Sequence, residues 1–578
     1  MIVEVIGEVV MPRLLSYIID FGIDGNAGEG TKVPEFVLGL YTRLGSNAGF
    51  ILAIMAGMII TALLMMLGGI GGAYFGAKAS VNFATDLRED LYRKIQSFSF
   101  ANIDRFSTGS LVTRLTSDIT QLQNFCNMML RMFFRAPGMM IGALIMAIRV
   151  NPSLSSVLAV SIPVLIAAIA VIIGRGFPRF SKMQTKIDGL NSTVGENLTN
   201  ARVVKSFVRE DYERAKFGRA NKDLKETAGS AMRNMILMQP VMTFVMNATT
   251  IAVFWFGGNQ LVSGSMTTGE LAAFVTYITQ ILSSLMMVSF LFVMFARAMA
   301  SGKRIGEVLD EKIDIADPEA PSDIKVERGD IEFKNVSFRY YKNSDEPVLD
   351  NINLKINAGE TIGIIGSTGC GKTTLVSMIS RLYDTDSGEV LVDGVNVRDY
   401  SLYNLREGVG MVLQKNTLFS GSIRDNLRWG DENATEDEIR GAAASAQADG
   451  FVCEFTKGYD TDLGQGGSNV SGGQKQRLCI ARALLKKPKI IILDDSTSAV
   501  DTATEARIRE TFKTGLKDST KIIIAQRIGS VKDADRIVVM NDGRITGVGS
   551  HEELLASNAE YGEIYYSQID KEDERGAK

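Results

Sequence analysis

The string Gly366-Ser367-Thr368-Gly369-Cys370-Gly371-Lys372-Thr373-Thr374 follows the apolar segment Thr361–Ile365 and runs into the helix-compatible Leu375–Leu382. This is the spacing of a phosphate-binding loop between a strand and a helix. Glycines let the backbone close around an anion, so that successive N–H groups and the helix N-terminus face phosphate oxygens. Lys372 then reaches the β- and γ-phosphates, and the Thr373 hydroxyl is placed for Mg²⁺. Further on, Lys489-Ile-Ile-Ile-Leu-Asp494 reads as a buried strand ending in a carboxylate, an arrangement in which Asp494 holds Mg²⁺ through water.

Two carboxylates and an amide set the chemistry apart. Asp494 is followed by Asp495, and the strand-like Ile522-Ile-Ile-Ala525 ends in Gln526. The single histidine, His551, lies in Ser550-His-Glu-Glu-Leu554, where it reads as an exposed residue at a helix start. About 20 residues before Asp494 stands Val470-Ser471-Gly472-Gly473-Gln474-Lys-Gln-Arg477, a glycine pair opening a helix.

The elements that must position these groups fall into two unlike halves. The chain has 578 residues and four scattered cysteines (Cys126, Cys370, Cys453 and Cys479) without metal-ligand or disulfide spacing. Its net charge of -4 and pI near 5.6 argue against nucleic acid as a partner. The mean hydropathy of +0.09 averages an apolar first half and a charged second half. Apolar runs near 2–22, 48–80, 120–149, 154–174, 234–262 and 268–298 give six candidate spans, each close to the roughly 20 residues that cross about 30 Å of hydrocarbon. Tight hairpins at Asn151-Pro152-Ser153 and Gly264–Gly269 join spans 3–4 and 5–6. Long helical stretches with a basic excess, including Arg88, Arg93, Arg114, Arg179, Lys186 and Arg202, separate spans 2–3 and 4–5 and belong in the cytoplasm, with both termini.

Charges within spans mark function or pairing. Glu4 and Glu8, one turn apart in span 1, either border a cavity that favours cationic or polar cargo or pair with another span. Methionines 235, 238, 242, 246, 286 and 287 either adapt to varied ligands or pack between helices.

Together the phosphate loop, the Ser471–Gln474 signature and the Asp494 strand, in that order behind six spans, resemble the exporter-type ATP-binding-cassette (ABC) half-transporters. Phe106–Asp118 and Glu196–Phe207 resemble the coupling segments of that family. Tyr340 resembles the aromatic that stacks on adenine, with Tyr341 as a possible substitute. Gln414 resembles the residue that senses Mg²⁺, Ser498–Asp501 the D-loop, and Asp462–Gly467 an exporter-type loop with Gln465 where Glu is common. The resemblance implies an all-α six-helix transmembrane domain (1–305), a linker (306–330), an α/β P-loop nucleotide-binding domain (331–570) and a charged tail (571–578). It implies ATP and Mg²⁺ as cofactors, with Thr373, Gln414 and Asp494 around the metal. Ser471, Gly472, Gly473 and Gln474 face ATP held by the opposite subunit.

Where that family carries a catalytic Glu and a switch His, this chain has Asp495 and Gln526. A carboxylate one methylene shorter and an amide that cannot carry positive charge describe a degenerate site that binds ATP and hydrolyses it weakly. The expectation is therefore one half of a heterodimeric multidrug-type exporter in the cell membrane. Its partner is a non-identical half-transporter with the Walker B Glu and switch His, and its cargo a small amphipathic or peptide substrate taken from a lipid setting. An ATP-gated regulatory or channel-type protein, a slow homodimeric exporter and a lipid flippase stay open as alternatives.

Overall fold

A computed structural model describes residues 1–24, 34–318, 323–341, 346–496 and 500–576, excepting the side chains at 177, 234, 292, 293, 296, 502, 514 and 569–576. The chain forms two compact units, Met1–Lys94 with Gly109–Asp310, and Ile95–Thr108 with Glu311–Lys578.

The first unit is helical. Among the described residues, five helical runs are long and apolar enough to cross a membrane: Asn47–Gln96, Thr108–Val150, Ser156–Thr199, Glu210–Val262 and Thr268–Leu291. The expected first span is the helix Ile2–Tyr17, which holds Pro12 and widens into a π-helical turn at Ile18–Ile23. Proline removes one ladder N–H, and Glu4, Glu8, Arg13 and Asp20 break the apolar run, so this span does not read as one long apolar α-helix. A 50-residue helix such as Asn47–Gln96 is about 75 Å long at about 1.5 Å per residue, far more than hydrocarbon requires. The surplus carries spans into the cytoplasm.

The last span is the core of this unit. Phe274, Tyr277, Ile278 and Ile281 are buried against Leu154, Leu158 and Leu165, with Ala143 and Ala147 completing the cluster. Small residues let helix axes approach closely where hydrocarbon supplies no hydrophobic drive. Met242 lies inside this cluster and Met238, Met246 and Met286 pack on it, so most of the methionine stripe is helix packing. Glu4 and Glu8 are both taken by Arg135 of span 3, at 2.7 and 2.6 Å. That is the ion-pair alternative.

Phe106–Asp118 lies at the cytoplasmic end of span 3. Thr108–Thr113 and the π-helical Arg114–Asp118 continue directly into the span. Asp118 accepts hydrogen bonds from Ser301 (2.9 Å) and Arg304 Nε (2.8 Å), and Arg114 donates to the Arg304 carbonyl (2.6 Å). A buried carboxylate needs such partners, and they fix this stretch to the last span.

In the second unit a six-stranded sheet runs in the order Arg544–Gly549, Arg536–Asn541, Thr361–Gly366, Thr520–Ile524, Ile490–Asp494, Val409–Val412. All neighbours are parallel except the first pair. The central strands are Ile-rich and buried on both faces, as a covered parallel sheet demands. A four-stranded antiparallel sheet built on Ile331–Phe338 shares the core of this sheet. A second cluster, around Leu478, Ile480 and Ile491, roots the helical part that includes Gly472–Leu485.

Candidate nucleotide site

Parallel strands end together, and ligands of open α/β sheets bind beyond those carboxyl ends. Thr361–Gly366 runs into the phosphate loop, Thr520–Ile524 leads to Gln526, Ile490–Asp494 to Asp495, and Val409–Val412 to Gln414. Four neighbouring strands thus deliver the loop and three polar side chains to one edge.

The loop Gly366–Gly371 opens the helix Lys372–Ile379. At Gly366 a Cβ would collide with the Met540 carbonyl, and at Gly371, φ 95°, it would come within 2.8 Å of the Val348 carbonyl. Both positions require glycine. Ser367, Thr368 and Gly369 are exposed at the tip, while Cys370 is buried beneath it. Lys372 Nζ donates to the carbonyls of Gly366 (2.9 Å) and Ser367 (2.7 Å), which holds the ammonium over the loop.

Thr373 Oγ1 donates to Asp494 Oδ1 at 3.1 Å, and Asp494 Oδ2 is buried with no hydrogen-bond partner. Burial pushes the Asp494 carboxyl above its usual range, with the Thr373 hydroxyl opposing. An orphaned hard oxygen beside a hydroxyl fits Mg²⁺, which takes few protein ligands when phosphates complete its octahedron. Gln414, exposed at the next strand end, lies one strand away.

Asp495 and Gln526 meet. Gln526 Nε2 donates to Asp495 Oδ2 at 2.8 Å. Asp495 has φ 48°, a left-handed backbone that Asp tolerates better than most residues. The Gln526 segment is pinned from behind by Gln568. Its amide donates to the Gln526 carbonyl (2.9 Å) and accepts from the Ile528 N–H (2.9 Å). Nothing in the local sequence marks Gln568; only the packing of the C-terminal helix brings it there. His551 starts the helix His551–Ser557 as expected, but it is half-buried rather than exposed, with Nδ1 2.6 Å from the Tyr561 hydroxyl.

Tyr340 is tied down. Its hydroxyl lies 2.8 Å from Thr374 Oγ1, and its ring meets Phe338 and Tyr383 edge-on. Tyr340 is 44% exposed and Tyr341 74%, which leaves Tyr341 the more accessible ring. Ser471 caps the helix Gly472–Leu485 in a reciprocal box with Gln474 (Ser471 N to Gln474 Oε1, 2.9 Å). The N–H groups at Gly472 and Gly473 form an exposed anion-facing end. Val470 is buried beneath it, in the second apolar cluster. Within Ser498–Asp501, residues 498 and 499 lie outside the described residues, and Asp501 caps the next helix through Thr504 N–H at 2.9 Å.

Within the same unit lies the short helix Phe100–Arg105, capped by Ser99 and Asn102. Tyr383 donates to Asp104 at 2.7 Å, Phe100 packs edge-on against Tyr383, and Arg105 pairs with Glu311 at 2.8 Å. The sequence did not single out this helix, because the polar run Phe106–Asp118 is the more conspicuous.

Residues 1–285 match the ABC transporter transmembrane region and residues 349–498 the ABC transporter ATP-binding domain. The chain is 41% identical over 515 residues to an uncharacterized ABC transporter ATP-binding protein of Bacillus subtilis, YfiB, covering 89% of each chain. The chain belongs to the ABC transporter family. It is also 33% identical to an ATP-dependent lipid A-core flippase of Syntrophus aciditrophicus, over 85% of this chain and 81% of that one. A bacterial Atm1-family ABC exporter with ATP bound superposes with a TM-score of 0.78 at 25% identity, covering 98% and 97% of the two chains. The protein is thus an ATP-driven ABC exporter of half-transporter type. It crosses the membrane several times and keeps its nucleotide-binding domain in the cytoplasm. Such exporters act as dimers, and their ATP-binding domain takes ATP, normally with Mg²⁺.

Proposed function

We propose that this ABC exporter subunit binds ATP at a degenerate site and completes a competent site on a different partner chain. The Gln526–Asp495 hydrogen bond carries the reading. An amide donating to the shorter carboxylate occupies an oxygen that would otherwise accept from attacking water, and neither group supplies a His-like positive charge. Gly366 to Thr374 would hold the phosphates, Thr373, Asp494 and Gln414 the Mg²⁺, and Tyr340 or Tyr341 the adenine. Ser471, Gly472, Gly473 and Gln474 would cap the ATP of the partner, which brings its own Glu and switch His.

Exposed apolar side chains around the second cytoplasmic turn, Leu198 (71%), Phe207 (73%) and Val208 (80%), support a partner surface there. Three ABC transporter ATP-binding proteins related to this chain, YfiB at 41%, YknU at 36% and YfiC at 30% identity, occur together in Bacillus subtilis, so non-identical relatives coexist in one organism. A slow homodimeric flippase is the second reading, favoured by the similarity to the lipid A-core flippase.

The test is vanadate trapping of a photoreactive ATP analogue in the co-expressed pair. Label on the partner's phosphate loop and none on this chain's is the expected result. Equal labelling of both chains contradicts the reading.

A further inference from the structure

A cavity of about 770 Å³ opens among spans 1, 2, 3 and 6, lined among others by Glu4, Asn124, Asn127, Arg131, Arg135 and Arg297. Its charges do not cancel. Arg135 is consumed by Glu4 and Glu8, at 2.7 and 2.6 Å. Among the described residues no carboxylate pairs with Arg131 or Arg297, so the free charge on this wall is positive. Cationic cargo, the preference that Glu4 and Glu8 alone would imply, meets two carboxylates that share one guanidinium on a wall where three arginines outnumber them.

The depth of the cavity says which part of a molecule it meets. The nucleotide-binding domain is cytoplasmic and follows span 6, so the Thr268 end of that span and the Val150 end of span 3 face outward. Arg131 stands about 28 Å along the helical run from Val150, and Arg297 about 44 Å from Thr268, at about 1.5 Å per residue. Against a hydrocarbon thickness of about 30 Å, Arg131 lies at its inner edge and Arg297 beyond it, so both guanidiniums stand on the cytoplasmic side of the membrane. The polar face of span 3 continues the site, since Asn124, Asn127 and Arg131 recur at helical spacing with amides that donate to oxygen. Toward the apolar side the wall is Met128, Met132, Met287 and Met294, flexible side chains that accommodate tails of varied shape. Ionisable side chains inside membrane spans mark substrate paths by default, and guanidinium binds phosphate or carboxylate in bidentate fashion.

We propose that this cavity is a binding site for amphipaths with an anionic phosphate or carboxylate head, held by Arg131 and Arg297 on the cytoplasmic side of the membrane. The proposal rests on the exporter reading but not on the degenerate ATP site. Binding is measured without ATP, so its failure leaves the hydrolysis asymmetry untouched, and the reverse also holds.

The experiment is equilibrium binding of fluorescent phosphatidylglycerol and of equally labelled phosphatidylcholine to the full-length protein in a non-ionic detergent. The wild type binds phosphatidylglycerol the more tightly. R131Q and R297Q each weaken that binding about tenfold, as loss of one charge-assisted contact does, and leave phosphatidylcholine unaffected. R131K/R297K retains the preference, and an unchanged MgATP-induced rise in Tm confirms that each variant is folded. Equal affinity for the two lipids, or Gln variants that bind phosphatidylglycerol as the wild type does, overturns the proposal. Competition separates the sources. Displacement of the probe by dodecyl phosphate and not by inorganic phosphate supports an amphipath, and displacement by both at similar concentrations overturns that assignment.

Discussion

At the scale of single residues the chemistry turns on one methylene and one amide. Asp495 holds its carboxylate about 1.5 Å short of where Glu would place it, and a misplacement of about 1 Å costs on the order of 10²-fold in rate. Its left-handed backbone adds a second effect, because Glu tolerates φ 48° less well than Asp. D495E therefore lowers stability by about 1 kcal/mol while it raises hydrolysis, and the two readouts separate in a denaturant titration and a single-turnover assay. Asp494 gives a pH prediction. Mg²⁺ binds the ionised carboxylate, and burial raises that group above the usual carboxylate range. Protons thus compete with the metal from a higher pH than at an ordinary Asp. The MgATP-induced rise in Tm is full at neutral pH and shrinks as pH falls through the raised pKa, before exposed carboxylates titrate. The motif residues were legible in the sequence because their spacing is local. The Asp495–Gln526 contact and the Gln568 clamp were not, since both depend on which strands lie side by side and where the last helix packs.

At the scale of elements, a short helix is held on the nucleotide-binding unit. The helix Phe100–Arg105 is only six residues long and stands by its Ser99–Asn102 box and by Tyr383. Burial and the neighbouring Asp104 carboxylate push the Tyr383 phenol up, so it stays a donor at every working pH. Asp104→Ala removes the acceptor and, at about 1 kcal/mol for a hydrogen bond, lowers transport per ATP bound by about fivefold with ATP affinity unchanged. Parallel flux and nucleotide-binding measurements check it. Strands and spans followed from hydropathy, and the strand Thr361–Gly366 opens at the residue where the apolar segment does. The first span did not read through as one helix, because Pro12 and four charged residues compete with its apolar run. The contact of Phe100–Arg105 with Tyr383 was not legible, since its anchor lies far away in sequence.

For the whole molecule, the account is a membrane unit that presents a positive inner cavity and a cytoplasmic unit with a signature better preserved than its hydrolytic pair. In the proposed heterodimer the partner's site would turn over while this chain's site holds ATP. Lys372→Ala in this chain then weakens ATP retention and slows transport only partly, whereas loss of the partner's Walker B Glu stops it; steady-state flux in vesicles distinguishes the two. Single-turnover hydrolysis of radiolabelled ATP by this chain alone, as wild type and as D495E/Q526H, decides whether the site is degenerate. A degenerate site gives a slow wild type and a rise of at least about tenfold in the double variant, from a carboxylate moved by about 1 Å and a restored switch. A wild type that hydrolyses ATP as fast as the double variant would contradict it.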